Sequence, residues 1–119
     1  MSQKFQSGDF LVFQLEAGFA LLRLIAIEET SENKIWHVAA YRDLFADVET
    51  AEAASLGQNK LVLSNPHIAL TTRAFESTQV ARISNLPLTD EEKAPFQMWK
   101  SNADREVSDR SVRLMLGLR

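Results

Sequence analysis

The chain has 119 residues, 45% of them hydrophobic and 24% charged, with a formal net charge of −3 and no cysteine. That length suits one core, and the apolar content is enough to offset the conformational entropy lost on folding, which argues against wholesale disorder. The absence of cysteine removes disulfides, thiolate metal sites and a thiol nucleophile, and the negative balance supplies no general attraction for a phosphate backbone.

The first element reads as a hairpin. Asp9 to Leu15 and Phe19 to Glu28 are rich in Phe, Val, Ile and Leu, and Glu16-Ala17-Gly18 between them predicts a three-residue loop whose last residue takes a positive φ. Apolar side chains occupy both parities, Leu11, Phe13 and Leu15 on one and Phe10 and Val12 on the other, which predicts central strands with both faces covered. Arg23 shares a parity with Leu21 and Ile25. Because a guanidinium does not shed its proton, it requires a partner or a route to water. A structural ion pair or a snorkelling side chain is the expectation, and a charge in a concave ligand site is the alternative.

A polar loop, Glu29 to Asn33, leads to a third strand, Lys34 to Arg42, containing Trp36, Val38 and Tyr41. Asp43 to Gly57, rich in Ala and Glu, predicts a short helix, with an ordered acidic loop as the alternative. Lys60 to Ser64 and His67 to Arg73 read as two strands around Asn65-Pro66, and Gln79 to Ser84 as a sixth.

Thr89 and Glu92 have the spacing of a capping box, which predicts a helix from Asp90 to Lys100. Pro95 removes one helical hydrogen bond and leaves a turn followed by a helix over Phe96 to Lys100 as the alternative. A second helix from Asp104 to Leu116 would place Val107, Leu114 and Leu118 on one stripe, with Met115 beside it. The expected fold is α+β in a single domain, residues 1–119. Residues 1–88 would form a strongly bent antiparallel sheet or small open β-barrel of five to six strands, and C-terminal helices in 89–119 would cover its second face.

Residues able to carry chemistry are sparse. His37 and His67 lack the two-histidine helical spacing of a zinc hydrolase and read as structural, His37 as a satisfied imidazole and His67 as a turn or strand-start residue. There is no Gly-x-Ser-x-Gly elbow, and Gly8, Gly18, Gly57 and Gly117 are too dispersed to cradle a phosphate, so neither a metal nor a cofactor is expected. Glu28-Glu29 and Glu91-Glu92 read as solvated element ends, and Trp36, Tyr41, Phe96 and Trp99 as packing aromatics.

Asp43, Asp47, Glu49 and Glu52 follow one another without a Lys or Arg after Arg42 and form the candidate partner-binding surface, complementary to a basic protein. Arg105, Arg110, Arg113 and Arg119 crowd the other end. The polar N-terminus and the Arg23 interruption of the most apolar stretch predict neither a signal peptide nor a membrane span, which with the missing cysteines points to the cytoplasm.

Two segments, FQSGDFLVFQLEAGFALLRLIAI and ISNLPLTDEE, resemble small bacterial immunity proteins of polymorphic-toxin systems through Gly8-Asp9, Gly18, Arg23 and Leu86-Pro87-Leu88. Leu22 stands where that family often has glycine before the arginine, and the middle of the chain offers no match. The resemblance implies a non-catalytic protein that binds and blocks a toxin. The same opening is similar, more faintly, to barrel-shaped ribonuclease toxins of toxin–antitoxin pairs, although Arg23-Leu24 replaces their Arg-Pro. The alternative function is therefore an RNA-directed hydrolase using Arg23 with His37 or Tyr41. A homo-oligomeric structural protein joined through its C-terminal helices is a third.

Overall fold

The doubly apolar hairpin lies inside a five-stranded antiparallel sheet. In the computed structural model, which describes residues 4–57 and 61–115, β1 (Asp9–Leu15) and β2 (Gly18–Glu29) pair with each other. β3 (Lys34–Phe45) and then β4 (Leu63–Thr71) extend the sheet beyond β2, and β5 (Ala81–Asn85) adds to β1, giving the order β4-β3-β2-β1-β5. Helices α1 (Val48–Gly57) and α2 (Thr72–Thr78) are inserted between strands, and α3 (Asp90–Ser101) and α4 (Val112–Met115) follow them. None of the described helices is long and apolar enough to cross a membrane.

The α+β class holds, but the expected strongly bent sheet or small barrel does not, because this sheet is open and neither closed nor strongly curled. Closure would require β4 to meet β5, and three strands separate them. The connection through α2 carries the chain from one edge to the other. The outer edge of β4 is occupied by Ser108, whose N–H donates to Ala69 and whose carbonyl accepts from Thr71. That pairing satisfies backbone groups which an open edge would leave to other chains.

Both faces of the hairpin are buried, by different helices. On one face Leu11, Phe13, Leu22, Leu24 and Val38 pack with Phe75 of α2 and Val112 of α4. The Trp36 ring stacks on Phe75 there, 4.1 Å between centroids. On the opposite face Val12 and Leu21 lie with Ala51 of α1, and beyond them Arg23 and His37 lie against α3. The covering helices are thus interspersed along the chain rather than gathered at its C-terminal end.

Several boundaries differ from expectation for identifiable reasons. The hairpin turn is Glu16 and Ala17 alone, since Leu15 pairs directly with Gly18. Gly18 has φ 148°, and a Cβ there would stand 2.7 Å from the Phe45 carbonyl oxygen, so the glycine permits close approach of β3 rather than closing a three-residue loop. Residues 63–71 form one strand through Asn65-Pro66, where the pairing slips between Val38 opposite Ile68 and Ala40 opposite Asn65. A bulge on an edge strand tolerates a residue without an N–H. Lys60 lies outside the described residues.

Of the acidic stretch, Asp43 to Phe45 finish β3 and only Val48 to Gly57 are helical. Thr72 and Arg73, expected to end a strand, instead open α2, with Thr71 Oγ1 accepting from the Ala74 N–H as an N-cap, and the last strand runs over Ala81–Asn85 rather than from Gln79. The capping box at Thr89 and Glu92 is present, and α3 runs unbroken through Pro95 to Ser101. The second expected helix shrinks to Val112–Met115 because residues before it are drawn to the edge of β4. Val107 and Leu114 are exposed instead of forming a buried stripe, Val112 takes the core position, and Leu118 lies outside the described residues.

Gly18→Ala should lower stability by about 2 kcal/mol, the scale of a residue forced into a glycine-only conformation against backbone. Urea denaturation checks this, and an unchanged midpoint would contradict the close approach to Phe45.

Candidate functional site

The face of the sheet beneath α3 carries the buried ionisable side chains Arg23 and His37. Arg23, placed there by strand parity, is 1% exposed. Its Nε donates to Glu92 Oε2 at 3.0 Å, and its Nη2 donates to Glu92 Oε1 at 3.3 Å and to the Pro87 carbonyl at 3.1 Å. Nη1 donates to the Gly8 carbonyl, and the guanidinium lies over the Phe10 ring, 4.2 Å from its centroid. A buried guanidinium with its donors distributed in this way is compensated.

Glu92 has two duties. Its Oε1 also accepts from the Thr89 N–H at 2.9 Å, so the carboxylate that caps α3 is the one that neutralises Arg23. Burial works against its charge, but the bonds from Arg23 and Thr89 and the guanidinium's field hold its pKa below the ordinary value.

Next to this pair lies a chain of three hydrogen-bonding side chains. Glu28 Oε1 and His37 Nε2 are 2.8 Å apart, and His37 Nδ1 and His67 Nε2 are 2.9 Å apart. With Glu28 a carboxylate, His37 donates through Nε2, its Nδ1 accepts from His67 Nε2–H, and His67 Nδ1 is left as an acceptor. His37 is fully buried, with Phe96 and Trp99 of α3 packed on its ring at centroid distances of 4.5 and 4.6 Å. His67 is half-buried and lines a shallow groove with Trp99, Glu106 and Arg110.

Burial lowers the His37 pKa, with Glu28 opposing and Lys100 assisting. Burial and then the neighbouring His37 push His67 down to about 4, against the pull of Glu28. Both imidazoles are therefore neutral at pH 7. The relay stores no positive charge and supplies a weak base at its outer end. Among the described residues no three His, Asp or Glu side chains converge as metal ligands.

The four acidic residues singled out in the sequence serve different purposes. Asp43 is half-buried and accepts from the Val62 N–H, pinning the entry to β4. Asp47 is exposed and accepts from both the N–H and the hydroxyl of Thr50, which secures the start of α1 and lowers its pKa. Glu49 and Glu52 are exposed on α1, and no ion pair joins either to another described residue.

Tyr41 takes neither Arg23 nor His37 as a hydrogen-bond partner, and its ring lies 6.1 Å from Phe10 in a stacked arrangement. Burial and Glu92 push its hydroxyl up to about 12. It faces a cavity of about 320 Å³ between α3 and the start of β4, floored by Phe10, Ile25 and Ala39. Compared with known protein families, characterised proteins and solved structures, the chain matches none.

Sequence reasoning found Arg23 and its need for a partner but missed the relay, and its reading of the two acidic pairs as solvated holds for Glu29 and Glu91 alone. Glu28 and Glu92, read as solvated, are the buried-side partners of His37 and Arg23. The signal for Glu92 was available in its capping position. Glu28 was hidden by a bulge, since the β2 register slips between Leu24 and Ala26 and turns an even-numbered residue onto the Arg23 face.

The two depressed histidine pKa values set a direction for stability. Unfolded histidines bind protons near pH 6.5 while the folded ones resist them, so this contribution is present above pH 6.5 and is lost as pH falls toward 4. Tm should fall through that window, and His67→Gln, which keeps hydrogen-bonding capacity without titrating, should flatten the fall. An identical pH profile for the variant would contradict the relay.

Proposed function

We propose that this chain is a non-catalytic protein-binding module whose partner presents a basic surface to α1. The observation that carries the reading is the exposed, unneutralised pair Glu49 and Glu52, flanked on the same short helix by the exposed apolar side chains of Val48 (39%) and Leu56 (54%). Carboxylates beside apolar surface favour a protein over a small ion, because both electrostatic steering and desolvation are then available. Asp47 adds charge at the end of the helix while holding it in shape. The resemblance of the opening hairpin to immunity proteins supports the form in which the partner is a toxin and binding neutralises it.

The hydrolase alternative receives less support from the placement of its residues. Arg23 and His37 are 1% and 0% exposed and are committed to internal partners, so neither offers a phosphate an approach. Tyr41, the remaining residue of that set, faces a cavity walled largely by carbon.

Glu49→Lys/Glu52→Lys is the test. The wild-type chain should retain a basic protein from its native host in a complex that weakens with salt, and the double variant, folded to the same Tm, should bind that purified partner at least about tenfold more weakly, or about 1.4 kcal/mol. Equal affinity for both forms would remove α1 from the interface.

A further inference from the structure

We propose that the cavity between α3 and the start of β4 is an anchor site for a single arginine side chain of the protein partner. The proposal rests on the basic-partner reading above and deepens it by naming a specific contact away from α1.

The cavity has a volume of about 320 Å³, at the small end of the range in which proteins enclose ligand groups. Its floor is Phe10, Ile25, Ala39 and Tyr41, its walls include Leu63 and Pro95, and its polar groups are carried by Tyr41 and by the first turn of α3. An occupant must therefore be apolar or planar along its length and polar at its tip. A guanidinium on an aliphatic stem has that form, since it stacks on an aromatic face and forks onto a carboxylate.

The chain already contains this arrangement once. Arg23 lies over Phe10 and is bound by Glu92. Phe10 in turn stacks with Tyr41, with 25° between ring planes, so the aromatic row continues toward the cavity. Glu91, the residue before Glu92, lines the same cavity, is exposed, and makes no ion pair with another described residue. Tyr41 and Glu91 thus offer outside what Phe10 and Glu92 offer inside.

Two further features fit a cation. Asp90, Glu91 and Glu92 stand together in the first turn of α3, so three carboxylates outweigh the positive end of that helix and the Arg23 guanidinium, both of which oppose a second cation. The Tyr41 hydroxyl makes no hydrogen bond to another described residue, and no buried side-chain N or O atom in the described structure lacks a partner, so this hydroxyl is open to the cavity rather than sealed. It remains protonated at neutral pH and can accept from a guanidinium N–H.

The test is an NMR titration of the full-length chain with Nα-acetyl-arginine N-methylamide, run beside the citrulline and lysine counterparts. The arginine probe should give saturable shifts centred on Tyr41, Leu63 and Glu91, the lysine probe weaker ones, and the uncharged citrulline probe none. Glu91→Gln, at an exposed position where folding is preserved, should weaken arginine binding about tenfold, as expected for losing a charged hydrogen bond. Shifts that do not saturate, that citrulline or lysine reproduces in full, or that survive Glu91→Gln would overturn the site.

The outcome separates from that of the α1 test. Arginine binding in Glu49→Lys/Glu52→Lys equal to wild type, with partner binding also unchanged, would leave the cavity standing and remove the α1 surface. Loss of partner binding in that double variant, with no arginine binding by the wild type, would remove the cavity alone.

Discussion

A guanidinium that cannot be discharged sits at the middle of the sheet, and much of the surrounding structure is arranged to compensate it. Arg23 is fixed in place by β2, yet none of its partners comes from β2. One is the Gly8 carbonyl at the entry to β1, one is the Pro87 carbonyl in the connection after β5, and one is the carboxylate that starts α3. A single buried cation therefore gathers partners from as far as 69 positions away in sequence. The energetic asymmetry of such a site is large, since the assembled set approaches neutrality while a set missing one member leaves charge in a poor solvent.

The same constraint orders the face that α3 covers. Because Glu92 is bound at once to Arg23 and to the Thr89 N–H, α3 begins at a fixed point over β2, and Phe96 and Trp99, one and nearly two turns beyond it, come down on His37 and His67. The helix buries no side chain completely, so polar fixation at its N-terminal end carries a share of its docking that apolar contact would carry elsewhere. The histidine relay then depends on α3 for its dryness. Its neutrality at pH 7 follows from burial, and burial follows from where Arg23 anchors the helix.

Part of this was legible in the residues and part was not. The two-sided apolar pattern of β1 and β2 correctly required covered, central strands, and the parity of Arg23 correctly required a partner. The capping box located the start of α3 and with it Glu92. What local pattern does not encode is which distant carboxylate meets which distant cation. Glu28 reads as solvated because it stands beside Glu29 at a strand end, and the bulge after Leu24, which local pattern does not encode, turns it toward His37. The periodicity of residues 104–116 suggested a helix that the unpaired edge of β4 overrides, since backbone pairing at Ser108 competes for the same chain. Barrel curvature was the least readable property, because it depends on strand order, which places β4 and β5 at opposite edges.

The dependence of α3 on Arg23 is measured most directly by native-state hydrogen exchange in Arg23→Met, which keeps apolar volume and removes the charge. The amides of α3 from Lys93 onward should lose about 3 kcal/mol of protection and open independently of β2 and β3, whose protection should fall far less. Uniform loss across the sheet and α3, or undiminished protection of α3, would contradict the account.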